Sequence, residues 1–259
     1  MFIEERHQAI LDLLSEKRSI TTGEIQEKFE ISYDSAKRDL RILEEKGLLK
    51  RTHGGAIPNR KIGQGGECHD LSSAERVQMV KDNYLAIAKK AITFIEPNDV
   101  VYLAPASVGA LIAQNLPHEL CCTLVTNSIS IAEELRKYEN ITVIVTGGEM
   151  NRNGAFYDDF TVETIKRLKF DKCFITSACI SAKFGLSIQK SRNIGLINAV
   201  IDNSKIAVGL YPTEKIGFDS IISICPSNKL HMLITDWNAS EDDLRAFTEQ
   251  GIQVVVAEI

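Results

Sequence analysis

No part of this 259-residue sequence is apolar for long enough to cross a bilayer. The stretch over residues 100–116, within the longest uncharged run, is interrupted by Pro105 and reads as a buried strand feeding a buried helix. A basic-then-apolar leader is also lacking, which predicts a cytoplasmic chain with no membrane partner. The six cysteines contain no C-x-x-C pair, so neither a zinc ribbon nor a redox couple is expected. Cys121 and Cys122 adjoin in a predicted strand and would face opposite sides, as reduced core thiols. Cys68 and His69 are neighbours without further ligands, a poor metal site. Nucleophile-elbow and phosphate-loop signatures are missing, so no cofactor, metal or catalytic residue is assigned. There is no internal repeat. Nor is there an overall excess of positive charge: the net charge is −5.

What the chain does have is a local concentration of cations. Residues 31–60 hold seven Lys/Arg against four Asp/Glu, with His53 among them. Within this stretch Ala36, Leu40 and Leu43 fall at helical spacing and form one apolar stripe, while Asp34, Lys37, Arg38, Arg41 and Glu45 point the other way. Ser32 suits the helix N-cap and Gly47 the left-handed position past its end. Upstream, Thr21 and Glu24 have capping-box spacing and open a shorter helix through Phe29. A first helix over residues 4–15 would bury Ile10, Leu13 and Leu14. Three helices with a tight turn at residues 29–32 predict a helix-turn-helix, whose last helix enters a DNA major groove. Residues 48–51 and 56–58 flank Thr52-His53-Gly54-Gly55, a hairpin signal that predicts a β-wing beside it. The candidate DNA contacts are therefore Ser32, Tyr33, Asp34, Ser35, Lys37, Arg38 and Arg41 from the helix. Arg51, His53, Gly54 and Gly55 come from the wing. Arg38 and Arg41 lead as base or phosphate contacts.

This stretch resembles the winged helix-turn-helix of DeoR-type bacterial transcriptional regulators. Ile31-Ser32, Ser35-Ala36-Lys37-Arg38-Asp39-Leu40, Leu43, Gly47 and Arg51-Thr52-His53-Gly54-Gly55-Ala56 carry the likeness. Ser35 and Lys37 are conservative departures from Thr and Arg; the lysine keeps the charge and loses the planar fork.

Residues 59–74 are polar, rich in Gly and Ser and without apolar periodicity, which predicts a linker between a domain at 1–58 and one at 75–259. From residue 75 helical and strand patterns alternate. Helices are predicted over 77–95, 107–116, 128–138 and 160–168. Strands are predicted over 99–104, 121–126, 141–146, 172–177, 206–210, 221–225, 232–235 and 254–257. The fold class is α/β: a mostly parallel, doubly wound sheet with helices on both faces, joined to the winged domain. Ligands bind such sheets beyond the carboxyl ends of the strands. That rule selects Ser107, Thr126, Asn127, Ser128, Gly147 and Gly148 as effector contacts, with Lys215 as a cation.

The second half is also similar to the regulator family, whose sensor domain is like pentose-phosphate isomerases and binds a phosphorylated sugar or related metabolite. Thr126-Asn127-Ser128, Gly147-Gly148, Phe174-Ile175, Gly185-Leu186 and Thr235-Asp236 carry this likeness, with Lys81 and Ile87-Ala88 before them. Three places depart from it. Ala104-Pro105-Ala106-Ser107-Val108 replaces D-x-G-[ST]-T, Pro212-Thr213-Glu214-Lys215 keeps only the lysine of D-x-S-K, and Asp158-Asp159 stands where glycine is usual. Those carboxylates, facing a pocket, would oppose a phosphate. The expectation is an effector other than a standard sugar phosphate. The resemblance implies a repressor of a carbohydrate-related operon that binds double-stranded operator DNA. Paired half-sites call for a homodimer or homotetramer. Two alternatives stay open: an isomerase-like enzyme, disfavoured because Ala104 replaces the expected acid, and a regulator whose sensor domain serves only assembly.

Overall fold

The computed structural model describes residues 3–17, 19–58 and 82–258, and the chain forms two compact units, one amino-terminal and one carboxy-terminal. The expected linker at 59–74, Cys68, His69, Lys81 and the first residues of the helix predicted at 77–95 lie outside the described residues.

In the amino-terminal unit α1 (Ile3–Lys17), β1 (Ile20–Thr21), α2 (Thr22–Phe29), α3 (Tyr33–Glu45), β2 (Leu49–Thr52) and β3 (Gly55–Pro58) follow in order. The capping box at α2 is complete. Thr21 Oγ1 accepts from Glu24 N at 3.1 Å, and Glu24 Oε2 accepts from Thr21 N at 2.8 Å. Such a cap stabilises a helix end by about 1 kcal/mol. Glu30 closes α2 with φ 52°, a left-handed residue that reverses the chain toward α3. Ser32 caps α3 by accepting from Ser35 N at 3.2 Å. At the other end Gly47 has φ 69°, Leu48 N donates to Leu43 O at 3.0 Å and Gly47 N to Glu44 O at 2.8 Å. This paired closure satisfies carbonyls the helix would leave open. Ile10, Leu14, Ile25, Leu40 and Leu43 meet in one core with Leu49 of the wing. The wing has three strands, in order β1-β3-β2, because the two residues of β1 pair with β3. A strand that short carries no periodicity and was not expected.

The carboxy-terminal unit is built on seven parallel strands: β4 (Val100–Leu103), β5 (Cys122–Thr126), β6 (Ile141–Val145), β7 (Phe170–Ile175), β10 (Ser204–Leu210), β12 (Met232–Asp236) and β13 (Gln253–Ala257). Their order is β13-β12-β10-β7-β4-β5-β6. Central strands such as β4 and β7 are almost wholly buried, which parallel sheets covered on both faces require. Helices α4 (Asp82–Ile92), α5 (Ser107–Gln114) and α6 (Ile129–Leu135) pack side by side, as do α7 (Asp159–Lys166) and α8 (Ile194–Asp202). The last helix, α9 (Glu241–Thr248), precedes β13. Burial pushes the Cys122 thiol up to about 11 and the Cys173 thiol to about 12, so both stay protonated.

One expectation needs correction. Residues 221–225 do not join the parallel sheet. As β11 (Ile222–Cys225) they pair antiparallel with β9 (Gly185–Ile188), which pairs with β8 (Cys179–Ser181) in a separate sheet of order β11-β9-β8. That hairpin and α8 were not anticipated. The apolar run in α8 is almost continuous, so its helical period is masked.

The strand order also locates the crevice. From β4 the chain steps through β5 to β6 on one side, and from β7 through β10 and β12 to β13 on the other. It reverses between β4 and β7, and this switch point is where open α/β sheets hold ligands.

Candidate nucleic-acid interface and ligand site

Helix α3 divides as its sequence pattern requires. Ala36, Asp39, Leu40 and Leu43 are buried, while Tyr33, Asp34, Lys37, Arg38 and Arg41 are exposed. Its polar residues are not equivalent. The Ser35 hydroxyl lies 2.9 Å from Ser32 Oγ and belongs to the helix cap. Lys37 Nζ sits 4.8 Å from the centroid of the Tyr33 ring. Arg41 Nε is 3.9 Å from Glu45 Oε1, a solvent-exposed pair that contributes little.

Asp39 is the residue that sequence reasoning undervalued. It lies on the buried side of α3, where Oδ2 accepts from Arg6 Nε at 2.7 Å and Oδ1 from Arg6 Nη2 at 3.1 Å. His7 Nε2 is 3.0 Å from Oδ1. Burial alone would raise the Asp39 carboxyl, but the bonds and charges of Arg6 and His7 outweigh it and hold the group below the usual carboxylate range. Three side chains thus lock α1 to α3 and fix the angle at which the cationic face is presented. The signal available in the sequence was a single acid at an apolar position of the α3 stripe.

The wing is fastened to α3 as well. Glu44 Oε1 accepts from Arg51 N at 2.7 Å, and the Arg51 guanidinium reaches Glu44 Oε2 at 3.8 Å. Arg51 is half-buried and His53 is exposed in the turn between β2 and β3. Gly54 O accepts from Thr22 N at 2.8 Å and from Thr22 Oγ1 at 3.1 Å. Gly55 is buried against β1, where an added Cβ would lie 2.0 Å from Ile20 O. Both glycines are placed to seat the wing on the start of α2.

At the carboxyl edge of the sheet the residues selected from the sequence separate into three groups. Thr126, Asn127 and Ser128 are wholly buried. Asn127 Oδ1 accepts from Tyr102 OH at 2.6 Å and its Nδ2 donates to Phe156 O at 2.7 Å. Thr126 Oγ1 donates to Leu103 O at 2.9 Å, and Ser128 Oγ accepts from Ile131 N at 3.4 Å at the start of α6. These side chains are used inside the scaffold rather than turned to a ligand. Ser107 is half-buried in the first turn of α5, directly after the β4 loop. Lys215 Nζ lies 3.3 Å from Ser177 O and 3.5 Å from Thr176 Oγ1 at the end of β7. Ser107 thus follows the β4 loop, Thr176 follows β7, and Lys215, from the segment after β10, reaches the end of β7. Thr176 carries no mark in the sequence, because only the strand order makes β7 the neighbour of β4.

Gly147 and Gly148 are exposed and line an open recess beyond β6 with Glu149, Asp158, Asp159 and Phe160. The Asp158 carboxylate has structural work there. It caps α7, accepting from Thr161 N at 3.0 Å and from Glu149 N, and these bonds lower its pKa. β5 stands between this recess and the β4 loop.

A winged helix-turn-helix with cations on its exposed third helix, carried with a parallel α/β unit that has a polar switch point, is the build of a DNA-binding regulator with a sensor unit. Residues 6–61 match the DeoR-like helix-turn-helix domain, and residues 81–237 match the DeoR C-terminal sensor domain. The chain belongs to the DeoR family of transcriptional regulators. It is 29% identical to the HTH-type transcriptional repressor GlcR of Bacillus subtilis (strain 168), across 100% of this chain and 98% of that protein. It is 30% identical to the lactose phosphotransferase system repressor of Staphylococcus epidermidis, across 92% and 93%. These relatives are regulators and not enzymes, so the isomerase alternative gives way. Ribose 5-phosphate isomerase A of Methanocaldococcus jannaschii aligns over 53% of each chain at 17% identity with a TM-score of 0.37, too slight a likeness to carry an argument. No described helix is long and apolar enough to cross a membrane.

Proposed function

We propose that the protein is a cytoplasmic repressor of a carbohydrate-related operon whose grip on operator DNA is set by a small metabolite. The exposed face of α3 enters the major groove, with Arg38 and Arg41 on bases or phosphates and Tyr33, Asp34 and Lys37 beside them. The wing lays Arg51 and His53 along the backbone. Residues 1–58 form the DNA-binding domain, 59–74 the linker and 75–259 the sensor and assembly domain. One winged module covers little DNA, so the working species is a homodimer or homotetramer on paired half-sites. The net charge of −5 is compatible with this arrangement because the cationic excess is local to residues 31–60, which hold seven Lys/Arg against four Asp/Glu.

The observation that carries the reading is the segregation on α3: exposed cations on one side, and on the other a buried stripe pinned through Asp39 to Arg6 and His7. It is tested by selecting genomic fragments with the purified full-length protein. Enrichment of fragments upstream of carbohydrate genes is expected; uniform recovery across the genome would overturn it.

The effector occupies the crevice between the β4 and β7 loops, near Ser107, Thr176 and Lys215. Lys215 Nζ lies 3.3 Å from Ser177 O and 3.5 Å from Thr176 Oγ1 there. The β4 loop, Ala104-Pro105-Ala106-Ser107-Val108, offers fewer polar partners than the family's pattern, which supports a metabolite less anionic than a standard sugar phosphate. A thermal-shift screen checks this: neutral sugars and nucleosides should stabilise the protein, and a large shift confined to hexose or pentose phosphates would refute it.

A further inference from the structure

We infer that Tyr33 and Lys37 act as one composite base reader, which recognises a thymine and an adjacent guanine in each half-site. The inference rests on the DNA-binding reading of α3 and adds the chemistry of what is read. Residues four apart share a row on a helix, so Tyr33, Lys37 and Arg41 lie in line along the exposed face. Tyr33 opens the helix, the end that meets base edges when such a helix docks. Tyr33 is 44% exposed, and the neighbour above its ring is the Lys37 ammonium, 4.8 Å from the ring centroid. Ser35, the hydroxyl of the same turn, is engaged by Ser32, so it does not compete for the base edge.

A lysine on a flexible four-carbon stem ordinarily contacts phosphate with little sequence preference. Held over an aromatic face, the ammonium is attracted to the ring and gives up part of its freedom before DNA arrives. The two groups then offer different contacts at one place. The ring presents apolar surface to a thymine 5-methyl, and the ammonium presents donors to guanine O6 and N7. Because the ammonium sits above the ring, the two bases are neighbours.

The test uses the full-length protein and the fragment most enriched from a random-sequence DNA pool. Affinity is read by fluorescence anisotropy while each thymine is replaced by deoxyuridine and each guanine by 7-deazaguanine. One methyl removal should weaken wild type about four-fold, the value of one buried methyl-sized group. It should leave Tyr33→Ala unaffected. At the adjacent guanine, loss of N7 should weaken wild type about five-fold or more and Lys37→Ala hardly at all. Tyr33→Phe keeps the ring and should behave as wild type at both bases. Tyr33→Ala, by releasing the ammonium, should also blunt the 7-deazaguanine effect. Tyr33 is exposed, so the variant tests recognition rather than folding, and Tyr33→Leu serves as a second version. An enriched site at which protein and DNA changes simply add overturns the composite reader while leaving DNA binding in place. A pool with no enrichment overturns both.

Discussion

Replacing Asp39 by Ala should loosen the recognition helix from within while leaving its outer face chemically intact. The carboxylate is buried and bonded to Arg6 at 2.7 and 3.1 Å and to His7 at 3.0 Å. Removing one member of a buried pair costs about 3–5 kcal/mol, because the partner's charge stays buried and uncompensated. The Arg6 side chain is 13% exposed and keeps some hydration, which places the expected loss near the lower end, about 3 kcal/mol. Hydrogen exchange read by mass spectrometry on peptides spanning Tyr33–Glu45 suits the measurement, since it reports on this unit alone. A loss of that size accelerates exchange by about two orders of magnitude. The sign with pH follows from the folded Asp39 carboxyl lying below its unfolded value. Its contribution is fully present above the unfolded value of about 3.9 and disappears as pH falls through the lower folded value. The part of the gap between wild type and Asp39→Ala that this carboxylate carries should therefore be lost under acid. The double variant Arg6→Met with Asp39→Leu should regain much of the protection, because it leaves no buried charge. Unchanged exchange in Asp39→Ala would refute the claim that this triad holds α3.

Gly55→Ala brings a Cβ to 2.0 Å from Ile20 O, so β1 must move; a destabilisation of about 2 kcal/mol or more is expected, seen as faster exchange in wing peptides. Arg51→Ala should make the plot of log affinity against log salt shallower by about 0.9 if the guanidinium leaves Glu44 for a phosphate; an unaltered slope removes it from the interface. Tyr102→Phe deprives the buried Asn127 Oδ1 of its donor. It should cost the carboxy-terminal unit about 1–3 kcal/mol, measured as a lower urea midpoint of Trp237 fluorescence.

Much of the amino-terminal unit was legible because short-range chemistry decides it. The capping box at Thr21 and Glu24, the cap at Ser32, the left-handed Gly47 and the stripe of Ala36, Leu40 and Leu43 each act within a few residues. Periodicity also placed the seven parallel strands, for buried β-branched runs between helices have few other uses. The features that escaped depend on partners distant in sequence. β1 exists only because β3 is beside it, and β11 left the main sheet because β9 offered an antiparallel edge. Neither relation leaves a trace in the spacing of apolar residues. Asp39 was missed for a similar reason: its meaning is supplied by Arg6 and His7, which lie 33 and 32 positions away.

The crevice proposed for the ligand shows how little a correct rule selects when the strand order is unknown. Beyond the carboxyl ends of seven parallel strands lie many loops, and only the reversal between β4 and β7 singles out a pair of them. Thr126-Asn127-Ser128 looked like ligand chemistry because polar side chains follow a strand. Yet a loop wedged between the Tyr102 hydroxyl and the Phe156 carbonyl needs polar side chains merely to satisfy buried backbone and phenol groups. Asp158 follows the same logic, since a carboxylate that caps α7 and holds the Glu149 amide would be required there whatever bound nearby. A polar residue at a strand end therefore becomes a candidate contact only after its internal obligations are counted. On that count Ser107, Thr176 and Lys215 are the side chains through which this regulator's ligand should be sought.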